Sequence, residues 1–394
     1  MSIKDKIILH IDMNSYFASV EQQANPFLRG RSVGVCAYLS DNGAIIASSI
    51  EAKQKGIKTG TRVRDAKIFD PDIVLLENEP AKYRSTTDKI FKILSDYTNV
   101  LEPYSIDEAF LDMTGFVKNW DEAQRKAEEI KERICREVGE WLYASAGISW
   151  TKFLAKFAGD IAPKKSVLVI GNQKELSDVL AGRDLKDAWG INVRTEERLK
   201  SIGINNLGEL KNFDENKIRR FLGRWGYYLW CNVNGIEINK VAEGREAAKS
   251  IGHSYMLQKQ TADKEYLKSV FYKLCEKTGR RLRDSGQEAL GISINVSYLN
   301  YGGVSRSFKT SEKMFTSDEI FSNVEKFLDK LCLIDKVRGL AVSVTRLSPV
   351  SGQLNLFENN LSKKELSRAL DKINDKYGEY TVAPGRMFGM DTVA

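Results

Sequence analysis

The sequence predicts a multidomain α/β protein, on three observations. Its 394 residues exceed what one ordinary core needs and suit two to four domains. Strand-length apolar runs alternate with helix-period segments through the N-terminal part of the chain. After a mostly helical middle, strict apolar/polar alternation returns at Ile292, Ile294, Val296 and Tyr298, and again at Leu340, Val342 and Val344.

The elements follow in order. Residues 6–12 read as a buried strand, and residues 14–23 as a helix starting just after Asp12. Residues 31–50 carry apolar runs around Gly34 and Gly43 that suit a hairpin, followed by a short helix from Glu51 to Lys55. Residues 82–98 look helical, and residues 100–112 form strands around an acidic pair. From Asp121 to Leu142, apolar residues at Ala123, Ala127, Ile130, Ile134, Val138 and Leu142 predict one amphipathic helix. Strands are expected at 143–149 and 166–170, with a small insertion near 20–75. Residues 172–235 read as mostly short helices, 236–249 as a polar linker, and 361–377 as an amphipathic helix before a short flexible tail.

Composition narrows the class. The hydrophobic fraction of 42% supports sizeable cores. No apolar run reaches membrane-spanning length, and Met-Ser-Ile-Lys-Asp-Lys does not read as a signal peptide. Five scattered cysteines without Cys-x-x-Cys spacing, and only two histidines, argue for reduced cytoplasmic thiols rather than disulfides or zinc. The net charge of +7 is unevenly spread, since residues 245–350 hold 18 basic and 12 acidic side chains and so carry +6 of it. Such a stretch suits either a polyanion-binding module or a solvated basic face.

The chemistry-bearing feature is Tyr-Ser-Ile-Asp-Glu-Ala-Phe-Leu-Asp at 104–112. Adjacent strand residues point to opposite faces, so one of Asp107 and Glu108 should face inward or sit at a strand end, unless something cationic collects both. Asp12, at the end of the first apolar strand, offers a third carboxylate. Three carboxylates at strand ends suit two Mg²⁺ ions, because hard cations take oxygen ligands. A solvated acidic pair on an edge strand is the alternative reading of Asp107-Glu108 alone. Further along, Gly190-Ile191 and Ser201-Ile202-Gly203-Ile204 bracket a short helical stretch in the manner of a helix-hairpin-helix, whose amides hold a DNA phosphate. Gly turns between short helices also arise from packing alone. Ser305-Arg306-Ser307-Phe308-Lys309 suits a strand laid along a phosphate backbone, or an edge strand guarded against aggregation.

Taken together, Ile11-Asp12-Met13-Asn14-Ser15-Tyr16-Phe17, Ser105-Ile106-Asp107-Glu108-Ala109, Gly147-Ile148-Ser149 with Lys152, Ala155-Lys156 and Asp160, and Lys249-Ser250-Ile251-Gly252 resemble the motifs of the Y-family DNA polymerases, the translesion class. The resemblance spans roughly residues 5–350, in family order. It implies a right-hand polymerase with a palm (1–15 and 78–168), small fingers (16–77), a helical thumb with the helix-hairpin-helix (169–238), a linker (239–249), an α/β little finger (250–349) and a C-terminal tail (350–394). It implies that Asp12, Asp107 and Glu108, with the Met13 carbonyl, hold two Mg²⁺ ions. Ser15, Tyr16, Phe17, Ala47, Lys53, Lys156 and Lys164 become nucleotide-binding positions, with Phe17 excluding a 2′-hydroxyl and Ala47 in the roof over the nascent base pair. Gly190, Asn192, Lys249, Ser250, Ser305, Arg306, Ser307, Lys309 and Arg338 become DNA-binding positions.

Three departures stand out. Where many relatives carry Tyr-x-x-Arg, the chain has Ile50 and Lys53, keeping a charge without the guanidinium fork. The family's Lys-Pro appears as Pro163-Lys164, and the hairpin's second Gly is Asn192, a residue that tolerates left-handed backbone. Gln353-Leu354-Asn355-Leu356-Phe357 resembles the peptide by which bacterial polymerases bind the sliding clamp, with Leu356 and Phe357 filling an apolar pocket, Gln353 anchoring by hydrogen bonds and Leu354 between them; a packed C-terminal segment is the alternative reading. The expected function is low-fidelity, template-directed DNA synthesis past damaged bases, without proofreading, by a cytoplasmic monomer. Its partners would be primer-template DNA, a deoxynucleoside triphosphate and the clamp, with no membrane. The rivals are a palm-type nucleotidyl cyclase, which would act without DNA, and a catalytically weak, clamp-tethered DNA-binding relative.

Overall fold

In the computed structural model, residues 6–244, 247–350 and 360–387 are described. The chain forms two compact units, residues 1–246 and 247–394.

The first unit begins with β1 (Ile8–Met13), α1 (Tyr16–Ala24), β2 (Val33–Cys36), β3 (Ile45–Ser48), α2 (Ile50–Gln54), α3 (Val63–Phe69), β4 (Val74–Glu77) and α4 (Pro80–Ser95). It continues with β5 (Leu101–Pro103), β6 (Glu108–Asp112), α5 (Trp120–Arg133), β7 (Ala144–Ser149), α6 (Lys152–Ile161) and β8 (Val167–Val169). Four helices follow: α7 (Gln173–Leu180), α8 (Val193–Lys200), α9 (Leu207–Asn212) and α10 (Glu215–Val233). The main sheet runs β5-β6-β1-β7-β8, with β1 central and antiparallel to both neighbours.

The alternation of β1 explains the layers. Leu9, Ile11 and Met13 point into the large core shared with Tyr83, Ile90 and Leu94 of α4 and Ala123, Ala127 and Ile130 of α5. Ile8, His10 and Asp12 take the opposite face, where Ile8 packs with Phe110 and with Ala155 of α6. Helix α6 lies very close to the sheet. A Cβ on Gly147 would fall 2.1 Å from both the Ala155 carbonyl and the Gly159 nitrogen, so only glycine fits there. The insertion forms its own three-stranded sheet, β3-β2-β4, over a small core of Cys36, Ile45, Ala52, Ile57, Val63 and Ala66.

The second unit holds β9 (Ser250–Thr261), α11 (Lys264–Asp284), β10 (Gln287–Tyr298), β11 (Gly303–Met314), α12 (Ser317–Lys330), β12 (Val337–Pro349) and α13 (Asn360–Tyr377). Its sheet is antiparallel in the order β11-β10-β12-β9. Ile292, Ile294, Val296, Leu340, Val342 and Val344 face a core built with Phe271, Leu274 and Leu282 of α11 and Ile320, Val324 and Leu328 of α12.

Three sequence expectations shift. The helix expected over 121–142 ends as α5 followed by a π-turn at Ile134–Val138, stopped at Gly139; Leu142 is still buried and so keeps the apolar period beyond the helix. Asp107 lies in a bend before β6 rather than inside a strand. Asn192 is not left-handed: its φ is −94°, and its side chain caps α8 by accepting the Thr195 N–H. The helix expected over 361–377 forms as α13 and is anchored, whereas the short tail expected at Thr392-Val393-Ala394 lies outside the described residues. Met387 enters the second unit's core, and Asp371 of α13 pairs with Arg283 of α11. No described helix is long and apolar enough to cross a membrane.

Candidate active site

The carboxylates meet through strand register. Asp12 is the direct partner of Glu108 across the antiparallel β1–β6 pair, so their side chains share a face. Asp107 joins from the adjoining bend, tied to β1 by the Met13 N–H donating to its carbonyl at 3.0 Å. The bend resolves the conflict posed by two neighbouring acidic residues, because Asp107 is free of the strand's alternation. The Met13 side chain is buried, so only its backbone is available at the site.

Electrostatics separates the three. Burial, then Asp107 and Glu108, raise the Asp12 carboxyl to about 7. Burial also raises Asp107, against a hydrogen bond from Ser105. Glu108 is buried as well, yet hydrogen bonds from His10 and Lys156 hold it below the usual carboxylate range. Its Oε2 lies 3.1 Å from His10 Nε2 and 2.7 Å from Lys156 Nζ. Among the described residues, no group of three or more His, Cys, Asp or Glu side chains is already placed to hold a metal ion. Two desolvated carboxylates above their ordinary range, beside a third, form a site with excess negative charge, which suits hard divalent cations.

A cationic side faces them. Helix α1 opens on Ser15, whose φ of 52° is left-handed and whose side chain makes no cap bond to the helix. Its hydroxyl instead accepts from Lys53 Nζ at 2.8 Å. Burial, then Lys164, lower the Lys53 ammonium, while Asp12 opposes them. Lys53, Lys164 and Asp12 therefore feel one another's charge at the start of α1, where backbone N–H groups favour an anion. Ile50 opens α2 and brings no polar atom.

Phe17 stacks on Tyr83, and Ala47 of β3 packs with it against the same apolar core. Tyr16 turns inward, its buried hydroxyl donating to the Tyr83 carbonyl at 2.9 Å, so only its backbone can serve a nucleotide. Lys156 also departs from expectation: its ammonium is engaged by Glu108 and, at 3.4 Å, by Asp160.

Two residues were missed. Asn14 braces the turn after β1, accepting from the Lys165 N–H at 3.0 Å and donating to Ser145 Oγ at 3.0 Å. His10 supports Glu108. Its signal was a lone polar residue two positions before Asp12, hence on the same strand face.

The remaining candidates fall elsewhere. Gly190 is left-handed, with φ of 96°, just before the Asn192 cap. In the second unit, register puts Ser250, Ser293, Ser305, Ser307, Lys309, Ser343 and Thr345 on the sheet face opposite the helices. Lys249 directly precedes that sheet. Arg306 is separated from its neighbours, because alternation sends it to the helix side, where its guanidinium lies 5.9 Å from the Phe308 ring centre. Arg338 is exposed within a β-bulge between Val337 and Gly339. Gln353, Leu354, Leu356 and Phe357 lie outside the described residues.

Comparison with known proteins adds to this geometry. Residues 11–160 match the impB/mucB/samB family, and residues 248–356 match that family's C-terminal domain. The chain is 33% identical over 389 residues to DNA polymerase IV 1 of Bacillus subtilis (strain 168), covering 97% of this chain and 93% of that one. It is 32% identical over 392 residues to DNA polymerase IV of Bacillus velezensis, covering 98% and 94%. Its fold matches a solved Y-family DNA polymerase chimera, Dbh-Dpo4(243-245)-Dbh, with a TM-score of 0.78 and 24% identity, over 87% of this chain and all of that one.

Proposed function

The chain belongs to the impB/mucB/samB family of Y-family DNA polymerases, and from that premise we propose that it extends primers past damaged bases with low fidelity at the Asp12–Asp107–Glu108 centre. It is a DNA-directed DNA polymerase of the translesion class. The observation that carries the site is the direct pairing of Asp12 with Glu108, with Asp107 beside them.

Asp12, Asp107, Glu108 and the Met13 carbonyl would hold the metal ions. Two Mg²⁺ ions there would lower the pKa of the primer 3′-hydroxyl and offset charge on the triphosphate. The protein does the rest by placement. The opening amides of α1, with Lys53 and Lys164, bind the triphosphate across from the carboxylates. Phe17 lies beneath the deoxyribose, where it leaves no room for a 2′-hydroxyl and offers it no partner. Ala47 and the small or aliphatic side chains near it make an open roof that tolerates distorted base pairs, which is the origin of low fidelity. The Gly190–Asn192 loop and the open sheet face with Ser305, Ser307 and Lys309 hold the DNA backbone by charge and hydrogen bonds. Residues 353–357 bind the sliding clamp.

A nucleotidyl cyclase would need neither the basic 245–350 segment nor DNA, and a catalytically weak relative would have no use for three carboxylates. Primer extension on undamaged and abasic templates tests the reading. Wild-type protein should extend both with Mg²⁺, and Asp107→Ala or Glu108→Ala should abolish extension while DNA binding persists. Extension unchanged in either variant would remove the metal assignment.

A further inference from the structure

Resting on that reading, one buried contact remains without a role in the reaction. Glu108 Oε2 accepts from Lys156 and faces His10 Nε2 at 3.1 Å. An ionised carboxylate only accepts, so Nε2 carries the proton and Nδ1 is the ring's acceptor. Nδ1 is buried and has no hydrogen-bond partner among the described residues. An unpartnered buried nitrogen costs free energy that an apolar side chain would avoid. The same surface accommodates apolar residues at Ile8 and Phe110, and the His10 ring packs on Phe110 with centroids 4.6 Å apart. What His10 adds over an apolar residue is its Nε2–H.

The backbone is arranged around this contact. His10 lies directly opposite Phe110 on one side and Gly147 on the other. Gly147 lets α6 descend onto the sheet, and a Cβ on Gly159 would come 3.0 Å from His10 Nδ1. That close approach brings Lys156 to the same carboxylate oxygen that His10 faces.

We infer that His10 is a positioning residue which, together with Lys156, holds Glu108 by Oε2 and leaves Oε1 alone to serve as a ligand to a divalent cation. Glu108 then presents one fixed oxygen rather than a freely rotating carboxylate. Loss of a hydrogen-bonding partner behind a metal ligand commonly weakens metal affinity or activity by 10- to 100-fold, on the order of magnitude seen for such outer partners.

The test reads Mn²⁺ affinity of the full chain without DNA, by water-proton relaxation, alongside steady-state primer extension. His10→Phe keeps the ring and removes the donor; Mn²⁺ affinity and kcat should each fall about 10-fold or more, with the KM for DNA unchanged. His10→Gln places an amide donor near the Nε2 position and should recover most of both, whereas the shorter His10→Asn should not. In a Glu108→Ala background, His10→Phe should cause no further loss of Mn²⁺ affinity. The inference falls if His10→Phe binds Mn²⁺ like wild type, or if its loss persists undiminished without Glu108. It also falls if Gln and Asn at position 10 behave alike, a comparison that needs no Phe variant to fold. Failure of the wild-type protein to extend any primer would instead overturn the polymerase reading, while the Mn²⁺ data would still decide the role of His10.

Discussion

The Phe17 ring lies stacked on Tyr83, with centroids 4.3 Å apart and planes 13° from parallel. Tyr83 is itself fixed, since it is buried and its hydroxyl donates to Glu21 Oε1 at 2.8 Å. On the proposed function, a ring backed this firmly leaves no room for a larger sugar. Phe17→Ala should raise the ribonucleotide-to-deoxyribonucleotide ratio of kcat/KM on the order of 100-fold. Single-nucleotide insertion with each triphosphate measures the ratio, and undiminished rejection of ribonucleotides would take Phe17 out of this role.

Asp12 gives a prediction about pH. Its folded pKa of about 7 lies above its ordinary value of 3.8, so the metal-free fold binds that proton more tightly than the unfolded chain does. The stabilisation from protonation is complete below 3.8 and is lost as pH rises through about 7. Asp12→Asn removes this titration. The metal-free variant and wild type should therefore melt together near pH 4, while the variant should melt higher at pH 8, by on the order of 5 °C. Saturating Mg²⁺ should raise the wild-type Tm at pH 8 and do little at pH 5. Thermal melts across that range, with and without Mg²⁺, check both statements.

Lys53 is held at the start of α1 by Ser15 and lies near Lys164. A charge-assisted hydrogen bond to a phosphate contributes about 1.5–3 kcal/mol. Lys53→Ala should then raise the KM for the incoming nucleotide roughly 10-fold or more with kcat little changed. Lys53→Arg, which supplies a planar fork, should lower KM below the wild-type value. Steady-state kinetics with varied nucleotide separate these outcomes.

Much of the fold and site was legible because its signals are local. The strand ending in Asp12, the Asp107-Glu108 pair and the alternation of the second unit's strands are each visible within a few residues. What escaped depends on register or close approach. His10 reaches Glu108 because β1 and β6 pair in one particular register, and Lys156 reaches it because Gly147 and Gly159 let α6 sit low on the sheet. A lysine in a polymerase-like motif reads as a phosphate ligand until that packing is seen. Asparagine at 192 tolerates left-handed backbone, yet it is equally suited to capping a helix, and here it does so.

The second unit's sheet separates two neighbours that the sequence grouped. Lys309 shares a face with Ser305 and Ser307, whereas Arg306 sits on the helix side against Phe308. Lys309→Ala should weaken primer-template binding and lower the slope of log affinity against log salt by about 1. Arg306→Ala should leave that slope nearly unchanged. Equal slopes for the two variants, in titrations at several salt concentrations, would refute the assignment of DNA to the open face.

The Gln353–Phe357 peptide lies between two anchored elements, β12 ending at Pro349 and α13 beginning at Asn360. The α13 anchor is specific. Arg283 is buried, and its guanidinium donates two bonds to Asp371, at 2.6 and 2.8 Å. Among the described residues, Asp371→Ala leaves that charge with Glu276 at 3.6 Å and Ser317 at 3.2 Å, and should destabilise the second unit by about 3 kcal/mol. Calorimetry should show its transition lowered by roughly 10 °C. Clamp engagement should separate from this anchor. Below the melting transition, Asp371→Ala should retain stimulation by the sliding clamp, because Leu356 and Phe357 are intact. The Leu356→Ala, Phe357→Ala double variant should lose that stimulation at unchanged stability and with unchanged clamp-free extension. Loss of stimulation in Asp371→Ala alone would mean that the clamp reads α13 rather than the peptide.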